Sequence, residues 1–306
     1  MTTVAYCAVS PDGKTFLDQV EMAPAHAKEL RAITDAVHAA GAAISAQITH
    51  GGCFTFVPEL STGAPLSASG GFNKVGVMNG RFFKRQMNIA DMRTRIGEFV
   101  RAAQMARECG FDAVEIHMGH GYLLSQFLSP GYNHRRDSYG GDAARRVRFP
   151  KEVLSAVLDA VGKDLAVTAK LGVYEGFKGG GTAEDAVIAA RALEGAGAHM
   201  LMLTGGMNVE SVSQLFGSNM PAEAATQAAS GIMKLATALM KHTEPKVEFH
   251  EMYFLEHSRK VRAAVKLPLA FLGGVKSGES VQRALDEGFD CIAMGRALIF
   301  DPGFVN

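Results

Sequence analysis

The stretch Gly110-Phe111-Asp112-Ala113-Val114-Glu115-Ile116-His117-Met118-Gly119-His120-Gly121-Tyr122 shows the unit from which the chain is built. A helical pattern over 89–109 stops at Gly110, the residue type that most often closes a helix. A short apolar run over 112–117 follows and reads as a strand. Polar residues and glycines come directly after it. Along the strand Ala113, Glu115 and His117 share one face, and Val114 and Ile116 share the other.

The same unit recurs in both directions. Strands are predicted over 2–9, 43–48, 166–171, 199–203, 267–272 and 289–294. Helices are predicted over 24–40, 143–161, 183–195 and 278–287, with Thr182 placed to cap the third. Residues 51–90 read as a loop, and 205–264 as one or more helices with an irregular insertion. Strands alternating with helices imply right-handed βαβ units and a parallel sheet. A doubly wound sheet would show a glycine-rich turn after its first strand, and Pro11-Asp12-Gly13 is not one. The expected architecture is therefore an α/β (β/α)₈ TIM barrel, which gathers polar residues just beyond the C-terminal ends of its strands. Seven strands account for positions 2–8 of such a barrel. The chain opens inside a strand and stops at Asp301-Pro302-Gly303, so the N-terminal βα unit and the last helix are expected to be missing. No linker divides the sequence, and residues 1–306 read as one domain.

Composition narrows the function. Among 306 residues, 31 Lys and Arg balance 31 Asp and Glu, which argues against a nucleic-acid partner. Cys7, Cys53, Cys109 and Cys291 are scattered, so no zinc or iron–sulfur site of closely spaced thiolates and no disulfide framework is expected. No apolar run reaches the roughly 18 residues of a membrane span. No basic segment precedes an apolar one at the N-terminus, and the cytoplasm is the expected compartment.

The residues after each strand are the candidates for chemistry. Gly273-Gly274 and Gly295-Arg296 open the last two loops, a common phosphate site in barrels. Glycines let backbone N–H groups approach phosphate oxygens, and Arg296 adds a bidentate contact. The plainer reading is a pair of tight turns. Glu115 points inward, where a bare carboxylate is costly, and Lys170 is the natural ion-pair partner by the same alternation. His117 and His120 are three apart, but no nearby Asp, Glu or Cys completes a metal set. Two imidazoles also make donors to one oxyanion, and the Tyr122 phenol can deliver a proton.

The string from Gly110 to His117, continued by His120-Gly121-Tyr122-Leu123-Leu124-Ser125-Gln126-Phe127-Leu128-Ser129-Pro130, Asn133, Asp137, Tyr139-Gly140-Gly141 and Arg148-Phe149, strongly resembles the Old Yellow Enzyme family. Gln47-Ile48-Thr49-His50-Gly51, Val9-Ser10-Pro11, Gly273-Gly274 and Met294-Gly295-Arg296 carry the resemblance along the rest of the chain. It implies an FMN-dependent oxidoreductase that takes hydride from NAD(P)H and reduces an activated C=C bond of a small enone or dienoyl substrate in a ping-pong cycle. It implies that Gln47 bonds the flavin pyrimidine edge and that Lys170 stands near flavin N1. Gly273, Gly274, Gly295 and Arg296 would hold the FMN phosphate, His117 and His120 the substrate carbonyl, and Tyr122 would supply the proton. Thr49, Ala144 and Arg145 depart from the family's usual residues. Phe72, Phe82 and Phe83 form either a lid or a loop packing its own aromatics. Two other readings remain at this point: a barrel fragment unable to hold FMN, and a lyase using Lys170 as a Schiff-base amine. The oligomeric state stays open.

Overall fold

A computed structural model describes residues 1–78, 80–219 and 247–305. Seven strands form one parallel sheet: β1 (Thr2–Ala8), β2 (Ile44–Thr49), β6 (Ala113–Met118), β7 (Ala166–Gly172), β8 (Met200–Thr204), β9 (Leu269–Phe271) and β10 (Cys291–Ile292). They are the seven strands expected, and they lie side by side in chain order. Among the described residues β1 and β10 are the two edges.

Helices return the chain between strands: α1 (Ala27–Ala39), α2 (Ile89–Glu108), α3 (Leu123–Leu128), α4 (Ala143–Arg146), α5 (Arg148–Val161), α6 (Ala183–Gly195), α7 (Val212–Phe216), α8 (Leu255–Arg262), α9 (Gly278–Asp286) and α10 (Arg296–Phe300). Thr182 caps α6 as expected, accepting from the Asp185 N–H in a capping box, and Asn88 and Asp91 do the same for α2. The helix expected over 143–161 is broken at Val147. Pro150 explains the break. It has no N–H for the Arg146 carbonyl and its ring would clash there, but it fits the first turn of a new helix. Of the helices expected over 205–264, α7 and α8 are seen, and residues 220–246 lie outside the described residues.

One face of the sheet is apolar. Ile44, Ile48, Val114, Ile116, Val167, Ala169, Leu201 and Leu203 are fully buried. Phe149, Val153, Leu154, Val157 and Val161 of α5 recur at helical spacing and are buried too. Each large side chain so removed from water contributes about 1.5–3 kcal/mol. The other face is unusual. Parallel strands covered on both sides are normally apolar throughout, yet Ser45, Gln47, Thr49, Glu115, His117 and Thr168 are buried here. A polar interior carries a desolvation cost, so it marks where the fold serves chemistry rather than stability.

The loop expected over 51–90 contains structure of its own. Strands β3 (Leu66–Ser67), β4 (Gly71–Phe72) and β5 (Phe83–Gln86) form a small sheet in the order β3-β5-β4. The buried Arg135 guanidinium ties this excursion to the barrel by donating to the Ala68 and Met87 carbonyls at 2.8 and 2.7 Å. Phe72 and Phe83 face each other across β4 and β5, yet Phe72, Phe82 and Phe83 all remain exposed. They do not pack into a core of their own.

Candidate active site

All strands of the sheet are parallel, so the loops after them emerge at one end. The loops after β2 and β6 are fastened to each other. The buried Gln126 amide donates to the Gly51 and Gly121 carbonyls, and its oxygen accepts from the Cys53 N–H. The Leu123 N–H donates to the His50 carbonyl at 2.9 Å. Gln126 was visible in the sequence only as part of a resemblance, and its positioning role is a finding of the structure.

Three of the expected side chains meet there. The His117 and His120 rings lie edge to face with centroids 4.9 Å apart. Tyr122 stands edge to face against His117 at 4.8 Å. Nδ1 of His117 accepts from the Gly119 N–H at 3.1 Å, which leaves the proton of the neutral ring on Nε2. Burial, with His120 and Lys170 nearby, drives the His117 imidazolium pKa well below its usual value. Burial and Lys170 lower His120 to about 3. Both rings are thus neutral donors near pH 7. His120 sits at φ +60°, a conformation rare outside glycine, and its Nε2 lies 2.8 Å from Thr204 Oγ1. That strained position is held by the surrounding structure and points to a role for the side chain. Burial, with the Tyr6 phenol beside it, raises the Tyr122 pKa far above the ordinary phenol range.

Register places Gln47 opposite Glu115, and Lys170 opposite His117. The expected Glu115–Lys170 ion pair is not formed among the described residues. Glu115 instead accepts a hydrogen bond from Gln47 Nε2, and Lys170 acts on it through space. Burial holds the Glu115 pKa up, with Lys170 opposing. Gln47 is directly opposite Glu115, whereas Lys170 lies two residues beyond Thr168, which is opposite Glu115 on β7, a register that the single-strand alternation did not reveal.

Gly273, Gly274, Gly295 and Arg296 come together as expected, lining one cavity of about 370 Å³ with Lys276. Gly273 and Gly274 have φ of +151° and +77°, and a Cβ at Gly274 would lie 2.8 Å from the Tyr253 ring. Among the described residues the N–H groups of Gly273, Gly274 and Gly295 make no hydrogen bond. Free donors beside an arginine suit a phosphate. Arg296 also donates to the Phe216 carbonyl at 2.8 Å, which fixes part of its fork. A half-buried Lys170 with no ion-pair partner among the described residues suits an electron-rich ring edge. The residues present therefore fit a phosphate-bearing cofactor such as FMN.

The sequence pattern of the NADH:flavin oxidoreductase / NADH oxidase family matches residues 1–306. The chain belongs to this family. It is 38% identical, over its whole length and 75% of the relative's, to 4,4'-dithiodibutanoate disulfide reductase of Rhodococcus erythropolis. It is 31% identical to NADH oxidase of Thermoanaerobacter brockii, over 88% of this chain but only 37% of that one. Among solved structures it resembles the old yellow enzyme homologue of Zymomonas mobilis, with a TM-score of 0.73 and 25% identity over 98% of this chain and 76% of that one. The Old Yellow Enzyme resemblance and the TIM-barrel class thus stand, and the family implies FMN and a nicotinamide as cofactors.

Proposed function

We propose that the chain, as a single FMN-binding domain, uses hydride from NADH or NADPH to reduce the C=C bond of a small enone or dienoyl compound. The observation that carries this reading is the meeting of two neutral imidazoles, His117 buried and His120 half-buried, with the buried Tyr122 phenol. Gly273, Gly274, Gly295 and Arg296 would hold FMN at its phosphate and Gln47 and Lys170 at its pyrimidine edge, and the bound cofactor would supply the hydride.

His117 and His120 bind the substrate carbonyl oxygen. Negative charge grows on that oxygen as hydride reaches the β-carbon, so their hydrogen bonds are stronger in the transition state than in the ground state. Neutral imidazoles suit the task, since each keeps its N–H aimed without carrying a buried charge. Tyr122 gives its proton to the α-carbon. Burial raises its pKa, so it holds its proton at neutral pH.

The test is direct. Protein mixed with FMN and desalted should keep a visible flavin band, and 2-cyclohexenone should reoxidise the NADPH-reduced protein. A folded but colourless protein would remove FMN from the reading. The identity to a disulfide reductase favours a second reading, in which hydride cleaves an S–S bond into a thiol and a thiolate. Thiol release from 4,4'-dithiodibutanoate, without turnover of enones, would favour it.

A further inference from the structure

A residue other than glycine stays in the left-handed region only where its surroundings over-determine it. At His120, with φ +60°, that hold is supplied by the end of β8 and the loop after it. Thr204 Oγ1 meets the ring at Nε2, 2.8 Å away. Four residues on, the Asn208 N–H donates to the His120 carbonyl at 3.2 Å. Between them Met207 pairs with His120 in an isolated parallel bridge. The Met207 side chain reaches the next residue as well, since a Cβ at Gly121 would lie 3.4 Å from its Cε. One short segment therefore holds His120 at its ring and at its backbone.

That segment is fixed in turn by Ser211. The Ser211 hydroxyl accepts from the Met207 N–H at 2.9 Å and donates to the Glu175 carbonyl on the loop after β7. Ser211 is 4% exposed and Met207 is fully buried, so removing the hydroxyl leaves a buried N–H without its partner. Glu175 is a firm anchor. Its N–H donates to the Gly181 carbonyl at 3.1 Å, and its carboxyl accepts from the Gly181 N–H and Ser129 Oγ at 2.6 and 2.7 Å. The Gly206 N–H also bonds this loop, at the Tyr174 carbonyl, but Ser211 takes the amide of the residue that faces His120.

We propose that Ser211 is a positioning residue for the reaction. Its hydroxyl locks the loop after β8 onto the loop after β7, and the locked segment sets His120 toward the substrate carbonyl. The inference rests on His120 being a carbonyl donor of the proposed reaction.

The experiment is a double-mutant cycle, with the two half-reactions followed separately by stopped flow using NADPH and 2-cyclohexenone. Ser211→Ala should slow the alkene half-reaction on the order of tenfold and leave flavin reduction and FMN affinity unchanged. In a His120→Ala background the same substitution should cost nothing further. Ser211→Thr, which keeps the hydroxyl, should recover most of the rate. Binding of p-hydroxybenzaldehyde gives a readout apart from turnover, and Ser211→Ala should weaken it only where His120 is present. If Ser211→Ala does not fold, Ser211→Cys keeps the shape with a weaker donor and should show a smaller loss with the same dependence on His120. Wild-type alkene kinetics in Ser211→Ala would overturn the proposal. So would an equal loss in both backgrounds, or a loss of FMN, which is what simple loosening of the fold produces. If His120→Ala alone spares the alkene step, the reading of His120 as a donor fails, and the role of Ser211 fails with it.

Discussion

The imidazole of His117 and the phenol of Tyr122 meet edge to face, their centroids 4.8 Å apart and their planes at 82°. An edge-to-face contact is a favourable aromatic geometry and fixes both rings. It puts a hydrogen-bond donor at the end of β6 beside a proton donor on the loop that follows. A carbonyl oxygen and the carbon two bonds away can be addressed together from such a pair.

His117→Ala removes one of the two donors. Loss of one preorganised donor to a developing oxyanion costs on the order of 10²-fold in rate. The alkene half-reaction should slow by that order while flavin reduction is spared. Binding of p-hydroxybenzaldehyde, followed by its long-wavelength absorbance with the flavin, should weaken. FMN should stay bound, because His117 takes no part in the phosphate cavity.

Tyr122→Phe keeps the ring contacts and deletes the acid. General acid catalysis is typically worth about 10²–10⁴-fold. The alkene step should fall within that range, and reduction by NADPH should be unchanged. Equal slowing of both half-reactions in single-turnover traces would count against the role.

How much of this was legible beforehand follows from signal length. The barrel strands and helices repeat an apolar period over many residues, and Thr182 announces its helix by chemistry alone. The small sheet at 66–86 has two strands of two residues and one of four, too short to show a period, and what holds it is Arg135, far along the chain. His117, His120 and Tyr122 were legible because they lie within six residues of one another, at the end of β6 and in the loop after it. Thr204 was not assigned a role, since its partner follows another strand and only the closing of the sheet brings the two near. The Glu115 partner was misjudged for the same reason.

Glu175 provides a test of the fold itself. It is 8% exposed, and burial lifts its pKa from 4.5 to about 7 despite bonds from Gly181 N–H and Ser129 Oγ. Between these two pH values the folded state holds a proton that the unfolded state has lost. Stability must therefore be full below about pH 4.5 and fall as pH rises through 7, by on the order of 3 kcal/mol from this group. Urea unfolding at pH 5 and pH 8 should show the loss, and Glu175→Gln should largely abolish that difference. Equal pH dependence in both proteins would dissociate Glu175 from it.

Thr204→Val isolates the orientation of His120. Thr204 is fully buried at the end of β8, and valine matches its shape while lacking the hydroxyl. For His120 to donate to substrate from Nδ1, its Nε2 must accept from the Thr204 hydroxyl, which lies 2.8 Å away. Without that hydroxyl the neutral ring can place its proton on either nitrogen, and the left-handed backbone at His120 loses one of its restraints. A buried polar atom left without a partner costs about 1–3 kcal/mol. Thr204→Val should lower the unfolding midpoint by that order and slow the alkene half-reaction roughly tenfold, a smaller effect than deleting the ring in His120→Ala. Thr204→Ser keeps the hydroxyl and should restore the rate. A Thr204→Val protein with wild-type alkene kinetics would mean that the His120 proton is placed by something other than Thr204.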